Sequence, residues 1–190
     1  PLPKQCERPA RGQPEFFPTA IFTERAKFSH SIKTLIKSGK FMSFKQEFLQ
    51  LPLPKDIYFI TFVTWERLEL TPEARQVVLN STLHFHQERY QLFAAVIMPD
   101  HVHLLLQPFR KSDLQYWSIG SLLHSIKSFS SKQIPKVMKH IGKVWQDGRH
   151  DEIISNRQHF INAWEYIKQN PIKANLSDPP QKYPFFWENV

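Results

Sequence analysis

An apolar run of strand length, Leu92-Phe93-Ala94-Ala95-Val96-Ile97, leads through Met98 into Pro99-Asp100 and then into His101-Val102-His103-Leu104-Leu105-Leu106. Pro99 and Asp100 suit the two central positions of a tight turn, so the stretch reads as a β-hairpin that ends at Gln107-Pro108. Side chains alternate faces along a strand. His101 and His103 therefore point to one side, and Val102, Leu104 and Leu106 to the other. Two imidazoles side by side on rigid backbone are what a metal site asks for. Packed or surface histidines would give the same pattern, and the residues alone leave both readings open. A second His-x-His, His84-Phe85-His86, falls in a stretch that reads as helix. There a spacing of two sets the rings on nearly opposite sides, so that pair is not expected to chelate.

The flanking sequence supplies the layers around this hairpin. Residues Ile57 to Trp65 are β-branched and aromatic throughout, as in a strand covered on both faces. Thr71-Pro72 offers an N-cap followed by proline at the first helical position. The helix it opens runs to about Tyr90, with Ala74, Val77, Val78 and Phe85 on one stripe interrupted by Ser81. Ile119, Leu122, Leu123, Ile126 and Phe129 repeat at three and four, which predicts a second helix from about Asp113 or Ser118 to Gln133. Its other face carries His124, Lys127 and Ser131, either a solvated surface or a phosphate-binding ridge. Lys132, Lys136, Lys139, Lys143 and Arg149 follow, through a loop broken by Pro135 and Gly142. A short strand near His150–Ser155 leads to a last helix, about Asn156 to Asn170, that buries Phe160, Trp164 and Ile167. This order predicts an α+β sandwich, an antiparallel sheet with helices on one face.

Residues 1–55 differ from the rest. They carry seven prolines, scattered basic residues and phenylalanines without a clean period. They predict a basic, Pro-rich extension, partly disordered, with one or two short helices in 27–49. Residues 56–190 form the ordered domain. The 25 Lys and Arg against 17 Asp and Glu give a net charge of +8, which favours a polyanionic partner, nucleic acid before membrane. A lone Cys6 forms no internal disulfide and argues against a cysteine-ligated zinc. No apolar run is long enough to span a bilayer, and a cytoplasmic location is expected.

On the last helix Tyr166 and Asn170 are four residues apart and share a face, with His159, Asn162 and Lys173 near it. Pro171 biases Asn170 out of helical geometry and places it at the helix end. Three blocks now stand in order: Met98-Pro99-Asp100-His101-Val102-His103-Leu104, Val144-Trp145-Gln146, and Tyr166-Ile167-Lys168-Gln169-Asn170-Pro171-Ile172-Lys173-Ala174. Together they resemble the single-tyrosine transposases of the IS200 type, and most closely the branch associated with repetitive extragenic palindromes (REPs). The similarity covers roughly residues 56–187.

The resemblance implies a ferredoxin-like core whose C-terminal helix carries the tyrosine, and a single-strand DNA endonuclease and strand transferase acting at hairpins. In it Tyr166 matches the nucleophile that forms a 5′-phosphotyrosine link. His101 and His103 match the metal ligands, with Asn170 as the third, and the family's metal is Mg2+ or Mn2+. A phenol ionises near ~10 and leaves more readily than an alkoxide, so such a link is reversible. No general base stands beside Tyr166 in sequence, and His159, two turns earlier, is a candidate. Position and residue type nominate Lys127, Lys132, Arg149 and Lys173 for phosphate contacts, and Trp117 or Trp145 for base stacking. Val144 beside it suits Trp145 equally to the core, so Trp117 is the candidate retained.

Three other functions fit parts of the pattern. One is a related nuclease of rolling-circle replication or conjugation. Another is a catalytically silent, domesticated DNA-binding protein of the same fold. The third is a histidine-metal hydrolase of small substrates, which gives Tyr166 no role. The sequence leaves monomer and homodimer both open.

Overall fold

The computed structural model of the protein describes residues 56–189, and the expectations for residues 1–55 lie outside them. Five strands form one antiparallel sheet in the order β6-β1-β3-β2-β7. They are β1 (Tyr58–Val63), β2 (Tyr90–Ile97), β3 (His101–Pro108), β6 (His150–Ile153) and β7 (Phe186–Glu188). A separate two-stranded ribbon, β4 (Arg110–Ser112) and β5 (Gln115–Tyr116), follows β3. The helices are α1 (Pro72–Leu83), α2 (Ile119–Met138) and α3 (Arg157–Lys173).

The hairpin forms as its sequence dictates. Met98 N–H donates to the His101 carbonyl at 2.8 Å, closing the turn over Pro99-Asp100. Thr64 pins the same turn from the end of β1, donating its N–H at 2.9 Å and its hydroxyl at 3.0 Å to the Asp100 carbonyl. β3 is the middle strand, and Leu104, Leu105 and Leu106 are fully buried. Each contributes about 1.5–3 kcal/mol relative to exposure, enough to hold the strand rigid although it carries His103.

Register sorts the helices between the two faces. Phe62 stands opposite Val102 and Thr61 opposite His103, so these two pairs face opposite ways. On the Phe62 side Trp145 packs edge-on at 5.0 Å between ring centroids and donates its indole N–H to Ser130 of α2 at 3.0 Å. There α2 packs against α1. On the Thr61 side α3 covers the sheet, with Phe160 against Phe93 at 5.2 Å and Tyr166 against Phe59 at 5.7 Å. Thus α1 and α2 share one face, and the C-terminal helix that carries the tyrosine lies on the other.

Several boundaries differ from the sequence expectation, each for a local reason. α1 stops at Leu83 instead of about Tyr90, because Gln87 turns left-handed (φ 67°) and Arg89 stacks on Phe85 at 3.5 Å. His84 and His86 therefore lie beyond the helix. The His86 Nδ1 accepts the Leu92 N–H at 3.1 Å, so this pair does not act as a chelate. α2 continues through Pro135 to Met138. Its buried stripe turns to Ser130 and Ile134 in place of Phe129, which is exposed, because the Ser130 hydroxyl bonds the Ile126 carbonyl and receives Trp145. α3 likewise continues through Pro171 to Lys173, so Asn170 is helical instead of terminal. A proline so near the C-terminus removes only one helical N–H bond.

Candidate active site

The site is assembled on the Thr61 face of the sheet. His101 is the first residue of β3 and half-buried, and its Nδ1 lies 2.5 Å from the Asp100 carboxylate. Arg67 Nη1 donates to the other Asp100 oxygen at 3.1 Å. His103 is buried, and its Nδ1 lies 2.7 Å from the Thr61 hydroxyl. Nε2 of His103 is buried without a hydrogen-bond partner among the described residues. The two imidazoles are 4.9 Å apart between centroids. Phe59 stacks on His103 at 5.6 Å, and Tyr166 meets the same imidazole edge-on at 5.2 Å. Tyr166 is 44% exposed, so its ring touches the histidine while its edge faces solvent.

The local backbone explains how these groups meet. Val63 stands opposite His101 and Thr61 opposite His103, so β1 backs both histidines. Past Thr64 the chain makes a turn in which Glu66 (φ 48°) and Arg67 (φ 59°) are both left-handed, a region that side-chain-bearing residues rarely enter. That turn brings the Arg67 guanidinium back onto Asp100. One helical turn past Tyr166, the Asn170 amide donates to the Tyr166 carbonyl at 2.8 Å, leaving its own oxygen free to accept. Lys173 Nζ lies 5.4 Å over the Tyr166 ring.

Electrostatics sets the charge of His103. Burial, reinforced by neighbouring His101, pushes His103 down to about 3, so its imidazole is neutral in the folded protein. Partial burial pushes the Asp100 carboxyl up. The hydrogen bond and charge of His101, with Arg67, outweigh that and hold it below its usual value. With Nδ1 of His101 engaged by Asp100 and Nδ1 of His103 by Thr61, Nε2 of each ring is the nitrogen left for another partner.

The depressed His103 value predicts an acid sensitivity. In the unfolded chain a histidine protonates near ~6.5, so between there and about 3 the unfolded state binds more protons than the folded one. Stability is then fully present above that range and falls with acid, by about 2 kcal/mol at pH ~5. Urea midpoints of the metal-free protein should drop accordingly, and His103→Gln should flatten the decline. An equal decline in both proteins would remove His103 as its cause.

The Nε2 atoms of His101 and His103, the latter a buried orphan, are of the donor type that a divalent transition-metal ion takes. Among the described residues no three His, Cys, Asp or Glu side chains converge.

The sequence pattern of IS200-like transposases matches residues 57–170, more than half of the chain. The protein belongs to the IS200-like transposase family. Membership places it among DNA-processing enzymes. A relative from Haemophilus influenzae, provisionally named a REP-associated tyrosine transposase, is 26% identical over 143 residues, covering 68% of this chain and 77% of the relative. A REP-associated tyrosine transposase solved bound to a REP hairpin superposes with a TM-score of 0.55 at 20% identity, over 72% of this chain and 79% of that one. That likeness shows the shared fold. Among the described residues no helix is long and apolar enough to cross a membrane.

Of the residues nominated from sequence, His101 and His103 meet Tyr166, with Lys173 over the tyrosine ring and Asn170 bonded to the tyrosine carbonyl. The others do not join them. Lys127 extends on the opposite face, over Phe62, and donates to the Gln146 and Gly148 carbonyls at 3.0 and 2.7 Å. Lys132 is exposed on α2, which covers that same opposite face. Arg149 pairs with Asp151 at 3.1 Å beside the edge strand β6. Trp117 lies past the far end of β3, its N–H on the Phe109 carbonyl, with Arg89 4.5 Å and Lys111 4.9 Å over its ring. Along a strand that is over 20 Å or so from His101. His159 is held at the start of α3 by Glu152 (3.4 Å) and Ser155, about 10 Å of helix from Tyr166. Asp100, Arg67, Thr61 and Phe59 were not singled out from sequence. Only Asp100, next to His101, carried a readable signal. The others depend on strand register or on the left-handed turn.

Proposed function

We propose that the protein is a metal-dependent single-stranded DNA endonuclease and strand transferase that acts at hairpin DNA through a 5′-phosphotyrosine intermediate. The observation that carries this reading is Tyr166 set edge-on to His103 at 5.2 Å, with His101 beside it. In the reaction the Tyr166 oxygen, its proton released to solvent, bonds to the scissile phosphorus. The bond from phosphorus to the 3′ oxygen breaks, and that oxygen leaves as a 3′-hydroxyl. Attack by a 3′-hydroxyl on the tyrosyl phosphate reverses these steps and joins strands. His101 and His103, with Asn170, would hold Mg2+ or Mn2+, which when bound supplies Lewis-acid stabilisation of charge on the phosphate. Lys173 adds a fixed positive charge over the nucleophile.

The test is a denaturing gel of the protein with labelled hairpin DNA from the flanks of its own gene, with Mn2+ or Mg2+ and with chelator. A metal-dependent protein–DNA band is the expected result. Salt-sensitive binding with no covalent band in either metal would instead make this a silent DNA-binding protein.

The same reading assigns Asp100 a measurable part. Asp100→Asn keeps the shape but removes the charge that orients His101, and Mn2+ affinity by calorimetry should weaken about 10- to 100-fold. Unchanged affinity would free Asp100 from that role.

A further inference from the structure

Four of the chain's five tryptophans are occupied within the protein. Trp145 is buried on Ser130, Trp164 donates to Glu188, Trp187 packs on His86, and Trp117 lies under Arg89 and Lys111. Trp65 differs. It is 40% exposed, and its indole makes no hydrogen bond among the described residues. It follows Val63, the partner of His101, by two residues, which is roughly 7 Å along a strand. Its own N–H is fixed on the Val144 carbonyl at 2.8 Å, so its backbone is anchored to the segment that packs beside β1. Immediately after it come the two left-handed residues Glu66 and Arg67.

We propose that Trp65 is the stacking platform for a nucleobase of the single strand beside the bond that is cut, with Lys143 and Arg67 answering the adjoining phosphates. The inference rests on the single-strand reading above and names where that strand leaves the site. Lys143 Nζ lies 4.4 Å over the Trp65 ring, placing a cation beside an aromatic face, the pairing that recurs in single-strand binding. Its ion pair with Asp147 is between exposed groups, and such pairs are weak enough for a phosphate to displace. Arg67 spends Nη1 on Asp100 and is otherwise largely exposed, so the rest of its donor fork is open. A tryptophan needed only for packing would be buried, as Trp145 is. Trp65 is instead anchored by its backbone outside the core, two residues past the strand partner of His101, with Lys143 over its ring and Arg67 two residues on. Stacking is tolerant of base identity because every base has a π face, so the platform serves to place the strand.

The experiment measures binding of hairpin DNA with a single-stranded tail, from the flanks of the protein's own gene, by fluorescence anisotropy. An abasic site is moved one position at a time along the tail. Wild type should lose roughly 5- to 100-fold in affinity at one tail position. Trp65→Ala should bind intact DNA more weakly by a similar factor and be indifferent to the abasic site there, and Trp65→Phe should recover part of both. Trp65 is outside the core, so its variants should keep the wild-type melting temperature. An Ala variant with wild-type affinity and the wild-type abasic profile would overturn the platform. A wild-type protein that binds no single strand would overturn the reading beneath it, and the platform with it.

Discussion

Tyr166→Phe is expected to abolish the covalent protein–DNA product and to slow cleavage on the order of 10⁴-fold or more, the scale at which enzymes lose a nucleophile. The change removes one oxygen. The ring contacts to His103 and Phe59 are made by carbon edges and faces and persist in phenylalanine. DNA affinity and melting temperature should therefore stay near wild type, which separates loss of chemistry from loss of the site. A Phe variant that still forms the adduct would transfer the nucleophile's role to another residue. No other tyrosine makes a ring contact with His101 or His103 among the described residues.

The largest stability effect is expected far from the histidines. Lys168 of α3 and Glu188 of β7 form an ion pair at 3.2 Å whose side chains are only 6% and 14% exposed. Glu188 also accepts the Trp164 indole N–H at 3.0 Å. This one carboxylate fastens the tyrosine helix to the edge of the sheet from the side away from Tyr166. Glu188→Ala leaves a buried lysine without it and should cost about 3–5 kcal/mol, or about 6–20 °C in melting temperature for a chain of this size. The exposed pair of Lys143 and Asp147 is the control, and Asp147→Ala should cost under ~1 kcal/mol. Equal shifts for the two variants would show that the Glu188 pair is worth no more than a surface contact. Removing both charges with apolar residues, Lys168→Met with Glu188→Leu, should restore much of the loss.

The sequence was most legible where one residue's neighbours are set by period alone. The hairpin, the shared face of His101 and His103, and the order of elements from β1 to α3 all follow from alternation and helical spacing, whereas the face that α3 takes, opposite α1 and α2, does not. The tyrosine helix was visible as well, because Phe160 and Ile167 mark its buried side. What could not be read depends on contacts between distant segments. Thr61 bonds His103 only because β1 pairs with β3 in one register. Arg67 reaches Asp100 only through two left-handed residues that no propensity favours. Phe129 lost its place in the core to Ser130 because Trp145, fifteen residues away, needed an acceptor. Charge type likewise misplaced Lys127, whose ammonium is used on backbone carbonyls. β7 is three residues long, too short for a periodic signal, yet it closes the sheet beside β2.

The placement of β7 also bears on when the fold is completed during synthesis. A ribosome delivers β1, β2 and β3 first, so the histidine pair and its Asp100 and Thr61 supports are made early. The helix bearing Tyr166, Arg157–Lys173, begins well after β3 ends at Pro108, and the strand that fastens it comes later still. A domain generally folds as a unit, so its packing waits for the last element that it needs. A half-synthesised chain thus carries both imidazoles without a seated Tyr166, and the fold is complete only once Glu188 has been translated. The order of translation thus keeps the imidazoles and Tyr166 apart until the last strand exists.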